Sequence, residues 1–301
     1  MDEIKFIQSA VAFLDILGFK GFISTAEAEN SKEFCRLLDA IGHQLSYIYN
    51  GSAQQNLFPA DVGLKIINIS DSFVLSAPIN SEKHPNYSGL VAVAIKAIQL
   101  AHELLKMGFL LRGGIAVGSV YRTDTNIFGT GYQKAYETES SLANSPRVLL
   151  DKSAADLLRT TTHYGCPIDS FPIFIREGDK FMLDIFYTHW SFFGNYINHD
   201  LIGTFEIYKS KIEENLSTLP PGRSRDKWKW MAEFFNSKLK HSSDLRHLSP
   251  IDLDKFSQFV FRPAIEEEPA TFEEAFGQFM SHGTTIKILS DGGAEAKGKT
   301  E

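Results

Sequence analysis

The sequence is short of cysteine, of positive charge and of long apolar runs, and each shortage closes off a class of protein. Its 301 residues include two cysteines, Cys35 and Cys166, far apart and without metal-type spacing. A disulfide scaffold is therefore excluded, and the usage fits a reducing, cytoplasmic setting. Acids outnumber lysine plus arginine by 37 to 30, giving a formal net charge of −7. That argues against coating a nucleic-acid polymer, which needs a basic face, but not against one nucleotide in a pocket with metal to supply positive charge. No apolar run nears the roughly 18 residues of a membrane span, and Met1-Asp2-Glu3 offers no basic n-region, so no span and no signal peptide are expected. The nine histidines show no HxxxH or HxH spacing and read as surface or core residues. What remains is ordinary for a globular chain: 43% hydrophobic and 22% charged residues, enough for one large domain or a domain with an extension.

Against that plain background two acids stand out. Val11 to Leu17 reads as an apolar strand broken only by Asp15 and followed at once by Gly18. Burying an unpaired carboxylate costs several kcal/mol, so Asp15 needs a cation or hydrogen-bonding partners. Asp71 repeats the pattern between Ile66-Ile67-Asn68-Ile69 and Phe73-Val74-Leu75, in what reads as a strand-turn-strand hairpin. Taken singly, either acid is equally well read as a turn cap or a lysine partner. Two carboxylates at the ends of two core strands suit a pair of divalent ions about 3.5–4 Å apart, the arrangement of phosphoryl transfer.

The periodicity supplies the frame. Strands are expected over 9–16, 63–69, 72–77 and 109–117, with 119–122 continuing or turning. Helices are expected after Phe19, over 34–48 on Phe34, Leu37, Leu38, Ile41, Leu45 and Ile48, and over 90–105. Next come a helical 129–141, a short strand 147–150, a short helix 152–159 and a hairpin within 171–187 around Arg176 to Lys180. The order is a ferredoxin-like βαββαβ core, α+β, with helices on one face of the sheet. Residues 1–194 form the expected catalytic domain. Residues 195–285, with Trp228, Met231, Phe234 and Phe235 at helical spacing, form a mainly helical extension, and 286–301 a disordered tail.

This order, with acids at these two points, resembles the class III nucleotide cyclase catalytic domain over roughly residues 9–190. Phe13-Leu14-Asp15-Ile16-Leu17-Gly18-Phe19 matches that family's Phe-x-Asp-Ile-x-Gly-Phe. The resemblance implies that Asp15 and Asp71 bind two Mg²⁺ or Mn²⁺ ions and that Ile16 lends a backbone carbonyl. It also implies that Leu17, Gly18 and Phe19 present N–H groups to the phosphates. Lys65 and Asn126 fall where the family reads the base. Lys65, six residues before Asp71, shares a face with it in an extended strand. The Asn and Arg that purine cyclases place on the next helix are replaced by Gln133 and Glu137, which reverses a charge facing a triphosphate. Phe128 to Ser140, Pro146-Arg147-Val148 and Arg112-Gly113-Gly114 are similar to the bacterial Pycsar pyrimidine cyclases of anti-phage defence.

The implied activity is cyclisation of UTP or CTP to a 3′,5′-cyclic monophosphate and pyrophosphate, in a homodimer with shared sites and with Arg112 as a candidate catalytic cation. A purine cyclase and an inert cyclase-like dimerisation module are the alternatives. Each residue also has a plainer reading. Lys65 can snorkel from a strand edge, Asn126 can form a turn, and Arg112, Arg122 and Arg147 can pair with carboxylates. Tyr132 and Tyr136 share a helical face suited to packing or a dimer contact, and Gly113-Gly114 permits close packing. Tyr47 and Tyr49 are packing residues or, with Phe73, an aromatic wall beside the base.

Overall fold

The computed structural model describes residues 4–29, 32, 34–39, 42, 62–163, 165–187, 201–242 and 245–256. The chain divides into compact units Met1–Val260 and Phe261–Glu301, and the described residues all fall in the first. The elements in order are β1 Ile7–Leu17, α1 Phe19–Glu29, β2 Lys65–Ile69, β3 Ser72–Pro78, α2 Gly89–Lys106 and β4 Leu110–Arg122. They are followed by β5 Ile127–Phe128, α3 Thr130–Glu137 running into a π-turn Thr138–Leu142, β6 Val148–Leu150, α4 Lys152–Thr160, and the small pair β7 Thr162–His163 and β8 Cys166–Pro167. β9 Phe174–Glu177, β10 Lys180–Leu183, α5 Leu201–Thr218 and α6 Arg223–His241 complete the set. Residues 34–39 are helical, as expected for the start of the 34–48 helix. Tyr47, Tyr49 and the tail 286–301 lie outside the described residues.

The main sheet runs β2-β3-β1-β4-β6-β10-β9, with β5 on the outer end of β4. Its first four strands run antiparallel from neighbour to neighbour, which is the α+β, ferredoxin-like order expected from the sequence. β6 then adds parallel to β4, reached by a crossover through α3, and β10 and β9 close that side as a hairpin. β1 is central, and its alternation sorts the two faces. Ala10, Ala12, Leu14 and Ile16 enter the large core under α2, while Val11 joins Ile67, Val74, Ala116, Val120 and Ala135 on the other side.

Helices therefore occupy both faces, not one as the sequence reading had it. α3 crosses the second face because Gly114 leaves room for it. A Cβ there would lie 2.3 Å from the Ala135 carbonyl oxygen, 2.6 Å from Thr138 Cβ and 2.8 Å from the Glu139 amide nitrogen. A strand glycine used for close approach of another backbone is the expected device.

α2 is buried almost all round, from Gly89 to Leu105. A helix without a wet face needs cover on its outer side, and α5 and α6 supply it. Phe205, Tyr208, Ile212, Met231 and Phe235 belong to the same cluster as Leu14 and Leu90. His102 on α2 shares a short hydrogen bond with the Tyr208 hydroxyl, and burial pushes the His102 pKa down to about 3, so the ring is neutral. Within the stretch expected as a helical extension, the described helices α5 and α6 thus pack into the core. No helix among the described residues is long and apolar enough to cross a membrane.

Candidate active site

Asp15 stands near the end of β1 on the α3 face, opposite Ser72 on β3 and Arg112 on β4. Asp71 occupies the β2–β3 turn just beyond, after Ser70, whose φ of 57° marks a tight reversal. The turn is tied to β1 by the Ile16 amide donating to the Asp71 carbonyl at 2.9 Å. Backbone pairing alone therefore brings the two acids to one end of one sheet face.

Arg112 organises the cluster. Its Nη2 lies 3.2 Å from Asp15 Oδ2 and 2.5 Å from Glu139 Oε1. Glu139 comes from the π-turn after α3 and keeps 5% of its side chain exposed, against 24% for Arg112 and 21% for Asp15. π-turns inside helices recur at functional sites. Here the turn, seated on Gly114, carries a carboxylate down to the strand. Burial raises the pKa of both Asp15 and Glu139; Arg112 opposes the shift in each, and the Asp71 charge adds to it at Asp15. Arg112 Nε is buried with no partner among the described residues, leaving one guanidinium donor free.

A fifth charge arrives from outside the core. Lys227 on α6 is partly buried and electrostatically coupled to Arg112, Asp15 and Glu139; burial is the main cause of its lowered pKa. Neither Glu139 nor Lys227 was singled out from sequence. A strand Gly-Gly facing a helix was the available signal for Glu139, since close backbone approach there buries whatever follows on the helix. Lys227 sits among the charges of Arg223 to Lys229 and has no distinguishing pattern. Glu137, aligned with the missing arginine, does not enter the Arg112 cluster: Glu139, two residues on, does.

Among the expected residues, the structure brings Asp15, Ile16, Asp71, Arg112 and the turn Leu17-Gly18-Phe19 together at one end of the sheet. Lys65 and Asn126 gather elsewhere. Lys65 pairs across Ser76 with Val11, four strand residues or about 14 Å from Asp15 along β1. Its ammonium meets Asp124 Oδ1 at 2.6 Å. Asn126 shapes the β4–β5 turn, its amide donating to Thr123 Oγ1 at 3.0 Å. Arg122 clamps this end by donating to the Ser76 carbonyl and to the Gly63 carbonyl. Phe73 is fully buried on the opposite face, next to Leu14, so it is no part of an aromatic wall beside Asp15. Phe13 takes that position, with Tyr136 and Tyr132 edge-on at 5.2 and 6.1 Å between centroids.

The donor set at Asp15 and Asp71 is hard oxygen, suited to Mg²⁺ or Mn²⁺. The repulsion that Asp71 exerts on Asp15 is the kind a divalent cation relieves. Among the described residues no three metal-type side chains cluster, so the remaining ligands would be backbone carbonyl and substrate oxygens.

No family model matches the chain, and no curated protein matches it. Among solved structures, it is similar to the catalytic core of a rhodopsin-guanylyl cyclase with converted specificity in complex with ATPαS, at 14% identity, covering 60% of this chain and 98% of that one, with a TM-score of 0.37. It is also similar to the monomeric guanylyl cyclase domain of a fusion protein from the aquatic fungus Blastocladiella emersonii, at 14% identity, 59% and 95% coverage, and a TM-score of 0.34. Scores at this level define no activity for the chain.

Proposed function

We propose that this chain is a metal-dependent nucleotide cyclase acting on a pyrimidine ribonucleoside triphosphate, UTP ahead of CTP. The product is the 3′,5′-cyclic monophosphate, a second messenger whose role, by the resemblance stated above, is anti-phage defence. The observation that carries the reading is the convergence of Asp15 and Asp71, from two separate strand ends, beside Arg112 and the Leu17–Phe19 turn.

In the reaction the ribose 3′-oxygen bonds to the α-phosphorus and the α-phosphorus bond to the β-bridging oxygen breaks. Pyrophosphate leaves with the electron pair, and the hydroxyl proton passes to water. Asp15, Asp71 and the Ile16 carbonyl would hold the ions, which when bound lower the pKa of the hydroxyl and offset phosphate charge. The Leu17, Gly18 and Phe19 amides would donate to phosphate oxygens as an oxyanion hole does. Arg112 supplies the free Nε donor to the same end. The exposed Tyr136 and Ile69 suit a homodimer contact, through which Lys65 and Asn126 of one chain complete the base end of the other's site.

The ion pair between Arg112 and Asp15 favours a second reading, an inert cyclase-like dimerisation module, because the acid already has a counterion. Incubation with each of the four nucleoside triphosphates and Mn²⁺, with products resolved by mass, separates the two. Cyclic UMP or cyclic CMP supports the proposal, a purine product overturns its base choice, and no product with any nucleotide leaves the inert module.

A further inference from the structure

The α5–α6 hairpin lies outside the six-element core, yet its Lys227 is electrostatically coupled to Asp15, Arg112 and Glu139. Where it meets the N-terminus of α1 and the C-terminus of α2, it borders a half-open cavity of about 1000 Å³. On the core side the cavity is lined by Leu17 and Gly18, the turn that leads directly out of Asp15, and on the hairpin side by Lys211 and Lys227. Gly18 has φ +84°, and a Cβ there would meet nothing within 4 Å, so the turn faces open space. The first amides of α1, from Phe19 to Gly21, follow that turn and have no intrahelical acceptors.

The lysines around this cavity are not equivalent. Lys106 pairs with Glu103 and Lys211 with Glu214, each at 2.8 Å. Lys227 makes no ion pair or hydrogen bond among the described residues, although it is partly buried. Asp15 and Glu139 attract it without bonding it, so its ammonium donors remain for an anion, which a partly desolvated ammonium gains from. The helix that carries it is fixed, because three turns further along Lys238 meets the buried Asp184 at 2.5 Å.

We infer that Lys227 and the Leu17–Phe19 turn form the seat of the polyphosphate end of the nucleotide, and then of the pyrophosphate leaving group. The α5–α6 hairpin is thereby a working wall of the site. This rests on the cyclase reading and adds to it the phosphate-binding cation that Glu137 cannot be. Lys227 stands on α6 and Arg112 on β4, so the two cations come from independent elements.

The test uses the full chain and inorganic pyrophosphate in isothermal titration calorimetry, with chelator present so that the protein's own donors are measured. Wild type binds saturably, Lys227→Met weakens binding at least about tenfold, as expected for one charge-assisted hydrogen bond, and Lys227→Arg restores most of it. Lys229→Met, two residues along the helix and not lining the cavity, binds as wild type. Equal affinity for wild type and Lys227→Met, or no binding by wild type, overturns the inference. Parallel turnover assays keep the two readings apart. Lys227-dependent pyrophosphate binding with no turnover of any nucleotide supports the seat and sinks the cyclase. Normal kcat and KM in Lys227→Met with normal pyrophosphate affinity sinks the seat and leaves the cyclase standing.

Discussion

Replacing Arg112 by Met keeps the apolar stem and removes the charge shared by Asp15 and Glu139. Glu139, with 5% of its side chain exposed, then faces only Lys227 as a neighbouring cation. Removing one partner of a fully buried pair costs about 3–5 kcal/mol. Here Arg112 keeps 24% exposure and Lys227 remains, so about 2 kcal/mol is expected, or roughly 4–8 °C in Tm for a unit of this size. The loss depends on pH in a defined direction. Glu139 already has a raised pKa in the folded chain, from burial, and loses the arginine that opposes the rise. The folded state then takes up a proton that the unfolded state does not hold in the window above the ordinary carboxylate pKa, so lowering the pH favours folding there. The Tm deficit of the variant relative to wild type is therefore largest near pH 8 and shrinks toward pH 5. Adding Glu139→Gln removes the stranded charge and recovers most of the loss, a coupling of about 1–2 kcal/mol in a double-mutant cycle. Melting followed by circular dichroism on the four proteins at three pH values is sufficient. A deficit flat with pH, or additive single effects, would refute the account of Arg112 as the counterion of a buried Glu139.

The other expectations concern separate groups. Asp15→Asn and Asp71→Asn each reduce nucleotide turnover at least about a hundredfold, and Asp15→Asn melts no lower than wild type, because burial penalises the ionised acid; turnover above a few per cent of wild type in either variant removes the two-ion assignment. Lys238→Met strands Asp184, 8% exposed in its side chain, and should lower stability by about 2–4 kcal/mol, read by urea denaturation; an unchanged midpoint would show that the pair does not anchor α6. Burial depresses the His163 pKa to about 4, with its Nδ1 accepting from the Ser88 amide at 3.1 Å. The unfolded state binds the extra proton below about 6.5, so stability falls as pH drops from there toward 4, and His163→Phe, less stable overall, should lose that part of the slope. UTP or CTP should exceed ATP and GTP by about a hundredfold in kcat/KM, some 2.7 kcal/mol, in competition assays; a purine preference contradicts the pyrimidine reading.

Most of the core was legible because its signals are local. The shift from period 2 to period 3.6 at Gly18, the hairpin at Ser70-Asp71 and the alternation along β4 each lie within about ten residues, and they fix the βαββαβ order. The acids at strand ends were legible for the same reason, since a carboxylate in an apolar run contradicts its surroundings. What escaped needed long-range facts. Counting six residues from Lys65 to Asp71 assumed one continuous strand, but β2 ends at Ile69 and Ser70 reverses the chain. Lys65 is therefore level with Val11, not with Asp15. Phe73 went to the core because it pairs with Leu14, and register, not composition, decides which face a strand residue takes. α3 crossed to the far face because of two glycines on another strand, Gly114 and Gly118, where a Cβ would strike its backbone.

The charges at the sheet end explain why the helical hairpin had to be part of the unit. Asp15 has Asp71 on one hand and Glu139 on the other as like-charged neighbours, in a half-buried place where the core supplies a single guanidinium. Coulomb repulsion at an effective dielectric near 20 is worth about 4 kcal/mol for a pair at 4 Å, so such a cluster is unstable without further positive charge. Lys227 provides part of it in the resting chain, at the expense of its own hydration. That same economy makes the cluster responsive. In the proposed reaction an arriving polyphosphate would compete with Asp15 and Glu139 for Arg112 and Lys227, and the carboxylates so released would be free to take cations. The site's acids and bases are thus paired with each other in a form that a charged substrate and its ions are able to exchange. In the proposed reaction it is that exchange that α6 makes available.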